Sequence, residues 1–525
     1  MNSSAFRARV IGLWPLLALL LIAAVWLYRT PYSASNLEIP PDSDEYALAP
    51  LQFVETGRYE IVVGDRELPP RYPPWFSALT ILPAYVVFGY EPGNAILPIT
   101  MLAVAGVGFA YAIGKRISGI TGGVLAGLAV LILPSYTFWA TEVMSDIPCT
   151  ALMLGTCLVF LELQVRPDSL RRWFAAGVLV AITTLFRPVF SAMLLPFALN
   201  IIGQRKRVLL RSALLFGPMA AAAALTFAYN AATFGSPFRN GYKFWVALPM
   251  DYPRMIFSLS NVPTNLRVIG LGIFPILLLA CFGTWLVVRK RKPAALASSW
   301  QSFRNTGIFV ALTTGPILVF HLLYFFPGDR FYIPMVAGTA ILTASILAVL
   351  IGSKGESLLK LLLPAVFVFA LVARLAVASP LPLRRLAADR VRKYTPENAI
   401  VISAIDPVYL GRFAAAGSSR RIVPLSRNVE YASKFLVRKR VEDPRLRGLN
   451  WNDDRAVALI RPHAEEAVRF VASERMDELA SALARSLPIF FESMFADPQD
   501  PVVAELRTRF NLVQRAPFLY ELLPR

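Results

Sequence analysis

The chain has 525 residues, of which 56% are hydrophobic and only 17% charged, against about 25% charged in ordinary soluble domains. Its apolar residues fall in runs of about 20, the length that crosses a hydrocarbon core of roughly 30 Å, and this excludes a soluble globular protein. The formal net charge of +19 is gathered in short clusters between those runs, at Lys115-Arg116, Arg205-Lys206-Arg207 and Arg289-Lys290-Arg291-Lys292. Basic residues so placed mark cytoplasmic loops and speak against nucleic acid as a partner.

The first apolar run, 10–28, follows Arg7 and Arg9. It is longer than the about 7–15 residues of a signal-peptide core, so it reads as a retained anchor. A long first outer loop, 29–92, comes next. Within it the run 75–90 is short, follows prolines and contains Pro83. Counting it as a span would break the alternation of basic loops, so an interfacial or re-entrant segment is expected. Spans then follow at 94–114, 119–138 and 147–161. The stretch 173–203 is flanked by basic clusters on both sides and must hold an even number of passes. It reads as a hairpin of two short helices with Arg187-Pro188 at its outer turn. Further spans lie at 208–231, 268–288, 308–326, 331–351 and 361–379, with a polar loop over 233–267.

The expected fold is therefore an α-helical polytopic membrane protein of about 11 transmembrane helices. Its N-terminus lies in the cytoplasm and residues 1–379 form the membrane domain. After residue 379 charged residues become frequent and apolar runs shrink to strand length at 399–403 and 421–425. A helical stretch, 464–487, and a strand-like end, 518–523, complete a small C-terminal α/β domain, 380–525, on the outer face. The three cysteines, Cys149, Cys157 and Cys281, show no metal-ligand spacing, so neither a disulfide framework nor a structural zinc site is expected.

On that topology one membrane face collects carboxylates and arginines, a combination suited to an anionic group and a transferable proton. In Pro41-Asp42-Ser43-Asp44-Glu45-Tyr46 the spacing Asp42-x-x-Glu45 also reads as a helix capping box, with the helix ending at Gly57. Ser145-Asp146-Ile147-Pro148 likewise reads as the cap of the next span, and Glu142 lies one turn earlier. Arg187 and Arg330 stand beside a proline and a tight turn, where a guanidinium either reaches for the interface or grips phosphate bidentately. His321, near the end of its span, reads as a packed residue.

These pieces, taken in order, resemble the C-superfamily of membrane glycosyltransferases, the group of the protein O-mannosyltransferases and the lipid A aminoarabinose transferases. The resemblance is carried by Asp42-x-x-x-Tyr46-Ala47, Gly57, Arg71-Tyr72-Pro73-Pro74-Trp75, Phe88-Gly89, Asp146, Phe186-Arg187-Pro188 and Arg330-Phe331-Tyr332-Ile333-Pro334. It covers most of residues 10–350. It implies transfer of a sugar from a polyprenyl-phosphate-linked donor to a hydroxyl on a glycan, lipid or protein acceptor, with inversion, at the outer face of a plasma (inner) membrane. Asp42 would be the base, with Asp44 as fallback and Asp146 in support. Arg330 and Arg187 would hold the lipid phosphate, while Tyr46, Arg71, Glu142 and Tyr332 would line the substrate. Tyr72 stands where relatives carry lysine or histidine, and Arg71 is the candidate substitute. The resemblance implies no firm cofactor, although carboxylates at Asp42 and Asp146 suit a divalent cation. A transporter or lipid flippase is the competing reading, but no repeat or midplane charge supports it.

Overall fold

The structure, a computed structural model, describes residues 3–525 apart from 64–65, 246–249, 251–252, 271–275, 277, 279–281, 283–296, 353–354, 377–380 and 426–453. The chain divides into two compact units, one of Met1–Arg29, Ile96–Thr226 and Asn261–Ser379, the other of Thr30–Ala95, Phe227–Ser260 and Pro380–Arg525.

The first unit is helical. Its opening helix, Ser3–Leu27, takes in all but the last residue of the apolar run 10–28. The expected pair of spans at 94–114 and 119–138 is a hairpin, Ile96–Leu131, broken at Ser118 and at Gly119, which has φ 75°. Glycine builds it. A Cβ on Gly114 would lie 2.4 Å from the Gly122 carbonyl oxygen, and one on Gly123 would lie 2.8 Å from that of Tyr111. Only bare backbone lets the two arms approach so closely. The second arm stops at Leu131 because Pro134 starts a separate short helix, Pro134–Trp139. The span after it is Asp146–Val165. The stretch 173–203 is indeed two helices, Leu170–Phe186 and Leu194–Gln204, joined by the tight turn Pro188–Met193 with Arg187 at the break.

Helices Val208–Phe234, Ala297–Leu323, Ile333–Ile351 and Gly355–Ala376 cover four of the remaining expected spans. The expected span 268–288 lies largely outside the described residues. Among those described, five helices are long and apolar enough to cross a membrane, the hairpin counting as one. The chain is a multi-pass membrane protein.

The second unit gathers the expected first loop and the C-terminal residues. Helix Asp42–Thr56 ends, as expected, at Gly57, whose φ of 74° suits a residue without a Cβ. The expected capping box does not form: Pro41 occupies the cap position and no side chain caps the helix. Strands β1 (Ile61–Val63) and β2 (Arg66–Leu68) form a small antiparallel pair. The apolar stretch near 75–90 is a short helical segment, Ser77–Phe88, below span length.

The C-terminal residues form a five-stranded sheet in the order β4-β3-β5-β7-β6. Two of its strands, β3 (Ile400–Ser403) and β4 (Arg421–Pro424), fall on the apolar runs expected at 399–403 and 421–425, and β7 (Leu519–Pro524) on the strand-like end. Strands β5 (Ile489–Glu492) and β6 (Phe510–Ala516) were not expected. The second alternates weakly. Parallel pairing of β3 with β4 and β5 buries them on both faces. Helix Asp454–Ala484 lies near the expected helical stretch. Ile402, Val423, Leu479, Phe491, Val502 and Leu506 form the core.

Candidate functional site

Two clusters of charged residues are built on helix starts, one in each unit. The cluster of the second unit lies at the first turn of Asp42–Thr56. Three carboxylates, Asp42, Asp44 and Glu45, fall within this turn, where the helix dipole favours negative charge. Glu45 is gripped at both oxygens by Arg71, whose Nε donates at 2.6 Å and whose backbone N–H donates at 2.7 Å. The same guanidinium donates through Nη2 to Asp42 Oδ1 at 3.1 Å. This is why the capping box fails: Glu45 is turned away from its own helix start and toward Arg71. Asp44 is held by the Nη1 and Nη2 groups of Arg384 at 3.2 and 2.7 Å.

The three acids therefore differ in access. The Asp42 side chain keeps 13% exposure, against 0% for Asp44 and 1% for Glu45. Burial pushes both Glu45 and Asp44 up to about 7, and the adjoining arginines, Arg71 and Arg384, act against that rise. Tyr46 is buried and stacks on Tyr72 with ring centroids 4.3 Å apart, while its other neighbour, Phe76, meets it edge-on at 5.0 Å. Tyr72 thus takes a packing place in the turn, and Arg71 carries the positive charge.

A segment of the expected polar loop 233–267 pins this turn. A Cβ on Gly241 would lie 2.4 Å from the Arg71 carbonyl oxygen, so glycine is required for the approach. Tyr242 packs edge-on against Tyr72 at 5.5 Å, and the Trp245 indole donates to the Pro69 carbonyl at 2.7 Å.

The cluster of the first unit lies at the start of Asp146–Val165. Asp146 does not cap its helix either. Its carboxylate accepts from Arg187 Nη2 at 2.8 Å, while Arg187 Nε donates to the Ser145 hydroxyl at 3.0 Å. The guanidinium of Arg187 lies over the Phe331 ring at 5.6 Å, and that of Arg330 lies over the same ring at 5.2 Å and over Trp139 at 5.4 Å. The Trp139 indole donates to Asp329 at 3.2 Å, which ties down the turn that carries Arg330. His321 stacks on Phe331 at 4.4 Å and donates from Nδ1 to the Ile317 carbonyl at 2.8 Å, so it is a packed residue as expected. Tyr332 is buried, and its hydroxyl has no hydrogen-bond partner among the described residues.

Glu142 takes a different partner. It is buried and pairs with Arg29 at the end of the first helix, 3.4 Å away, and Arg29 also donates to the Thr141 carbonyl. The structure therefore brings Asp42, Tyr46 and Arg71 together in one unit, and Asp146, Arg187, Arg330 and Tyr332 in the other. Glu45, Gly241, Tyr242 and Arg384 were missed as participants. Glu45 could have been found, because a carboxylate beside Asp42 has a second use once an arginine follows in the same loop. Nothing in the sequence near Arg384 singles it out. Among the described residues no three His, Cys, Asp or Glu side chains converge to hold a metal ion.

Known proteins bear on this geometry in two ways. A family model described as dolichyl-phosphate-mannose-protein mannosyltransferase matches residues 70–231. Among solved structures, ArnT from Cupriavidus metallidurans bound to undecaprenyl phosphate is 15% identical, with a TM-score of 0.60 over 97% of each chain. Its apo form gives 14% and 0.56, over 99% of this chain and 98% of that one. The apo oligosaccharyltransferase of Archaeoglobus fulgidus gives 12% and 0.50, over 79% of this chain and 64% of that one. No curated protein matches the sequence. The chain shares its fold with ArnT over nearly its whole length, and the family match over residues 70–231 agrees with the resemblance read from the sequence.

Proposed function

We propose that this chain, built on the C-superfamily fold, transfers a sugar from a polyprenyl-phosphate-linked donor to an acceptor hydroxyl, with Asp42 as the base. The observation that carries the reading is the difference in access within one helical turn. Asp42 keeps an exposed edge, whereas Asp44 and Glu45 are enclosed and gripped by Arg384 and Arg71. Asp42 is therefore preferred to Asp44.

In the reaction the acceptor oxygen attacks the anomeric carbon as its proton passes to Asp42. The bond from that carbon to the phosphate oxygen breaks, and the lipid phosphate leaves with the electron pair. A single displacement of this kind inverts the anomeric centre. Charge builds on the phosphate as the bond breaks, and arginines placed beforehand stabilise it without reorganising. Arg187 and Arg330 are assigned this role. Their support is the shared Phe331 ring, the Asp146 and Ser145 contacts that fix Arg187, and the buried Tyr332 hydroxyl, which is available to a phosphate oxygen. Asp146 then acts through Arg187. Arg71 is assigned to orienting Asp42, and Tyr46 and Glu142 to framework.

The test supplies the purified chain in liposomes with radiolabelled polyprenyl-phosphate sugars, hexose and pentose in turn, together with a membrane extract as the source of acceptor. Label that moves from at least one donor into the extract supports the reading. Intact protein that moves label from none of them ends it.

A further inference from the structure

The C-terminal segment reaches the same helix start that carries Asp42, and the reaction above gives it no part. Arg384, at the start of the helix Leu383–Tyr394, is buried. Its guanidinium binds both oxygens of Asp44. Its Nη1 also donates to the carbonyls of Asn36, at 3.3 Å, and Leu37, and its backbone N–H donates to Asn36 Oδ1 at 3.0 Å. The guanidinium lies over the Tyr409 ring at 4.1 Å, and the Tyr409 hydroxyl donates to the Ser35 carbonyl at 2.8 Å.

One side chain therefore ties together the strand of chain entering the helix and the first turn of the helix itself. Asp44 is two residues from Asp42, so fixing the Asp44 carboxylate fixes the rotation of the turn that presents Asp42. A buried ion pair is a poor source of stability, since an apolar pair of similar volume often serves as well or better. A planar fork with five donors is, however, a good source of orientation. The choice of arginine against the fully buried Asp44 points to geometry.

We propose that Arg384 is a positioning residue: by gripping Asp44 and the Asn36 and Leu37 carbonyls, it sets the orientation of the helix start that presents Asp42. The C-terminal residues thereby serve as a clamp on the base. The catalytic half of this inference rests on the assignment of Asp42, and the clamping half does not. The Arg412–Glu55 pair, toward the other end of the same helix, is more open, with Glu55 46% and Arg412 23% exposed, and supplies the control.

The test uses the full chain in lipid nanodiscs, as wild type, Arg384→Met, Arg384→Lys, Asp44→Asn and Arg412→Ala. Two readouts are taken: amide hydrogen exchange over residues 42–48, and kcat and donor KM for sugar transfer. In Arg384→Met exchange at the helix start should rise about tenfold while strands β3 and β5 keep their protection. In the same variant kcat should fall about 100-fold with donor KM unchanged, the usual result of displacing a reacting group by about an ångström. Asp44→Asn should move both readouts the same way by less. Arg384→Lys should recover only part of the loss, because an ammonium cannot serve both carboxylate oxygens and the carbonyls together. Arg412→Ala should move neither. Unchanged exchange in Arg384→Met overturns the clamp, and so does unchanged exchange in Asp44→Asn should the methionine variant fail to fold. Raised exchange with unchanged kcat overturns the positioning role. A wild type without transfer removes that role along with the base assignment, while the exchange data still decide the clamp.

Discussion

The two helix starts that carry the charged residues are alike in plan and different in finish. Each places an aspartate in the first turn, and each meets it with an arginine distant in sequence, Arg71 for Asp42 and Arg187 for Asp146. At Asp146 the carboxylate is 2% exposed and serves, with Ser145, to hold Arg187. At Asp42 the turn holds three acids and meets two arginines, and the partners are distributed so that, of the three acids, Asp42 alone retains side-chain exposure above 1%. The same local motif thus serves to fix a cation in one unit and to present a carboxylate in the other. Sequence spacing cannot separate these uses, since both read as helix caps. The partner arginines separate them.

The comparison can be broken by substitution. The largest effect is expected at Asp42. Asp42→Asn should lower kcat about 10³-fold, within the range of a lost general base, with thermal unfolding unchanged. Asp146→Asn should act differently, raising donor KM and lowering stability by about 3 kcal/mol, because Arg187 loses its charged partner inside the protein. Denaturation in detergent and donor titration check the two halves. Gly241→Ala is expected to be milder, destabilising by about 1–3 kcal/mol as the added methyl forces the Arg71 backbone aside. Transfer should fall with it. Should Gly241→Ala be neutral in both respects, the pinning of Arg71 by this segment is refuted.

The smallest expected effect concerns pH. Burial raises Glu45 from its ordinary value to about 7, so the folded state holds this proton more tightly than the unfolded chain does. The resulting stability is fully present below the unfolded value and is lost as pH rises through about 7. Wild type should therefore lose stability between pH 5 and 8, and Glu45→Gln should flatten that slope. An equal slope in Glu45→Gln would locate the titration elsewhere, with Asp44 the next group to replace.

Much of this was legible in the sequence, because membrane spans are written in composition. Runs such as 94–114 and 208–231 announce themselves, and Arg187 falls at the break of its hairpin because Pro188 cannot continue a helix. The candidate acids were also legible, as was the end of the Asp42 helix at Gly57. What escaped depends on contacts between residues far apart in the chain. Glu45 looked like a cap because local spacing favours one, and Arg71 overrides it with two hydrogen bonds. Gly241 looks in sequence like any loop glycine, and only the Arg71 backbone against it sets it apart. Arg384 sits in a run of basic residues that resembles a solvated helix face, and it is buried only because Asp44 and two carbonyls receive it.

The most direct test of the central claim is the pH dependence of kcat at saturating donor for wild type, Asp42→Asn and Asp146→Asn. The account predicts an acid limb in wild type, where transfer slows as the base takes up a proton. That limb should be absent from Asp42→Asn and kept in Asp146→Asn. An acid limb that persists in Asp42→Asn and disappears in Asp146→Asn would contradict the account and give the base to the other helix.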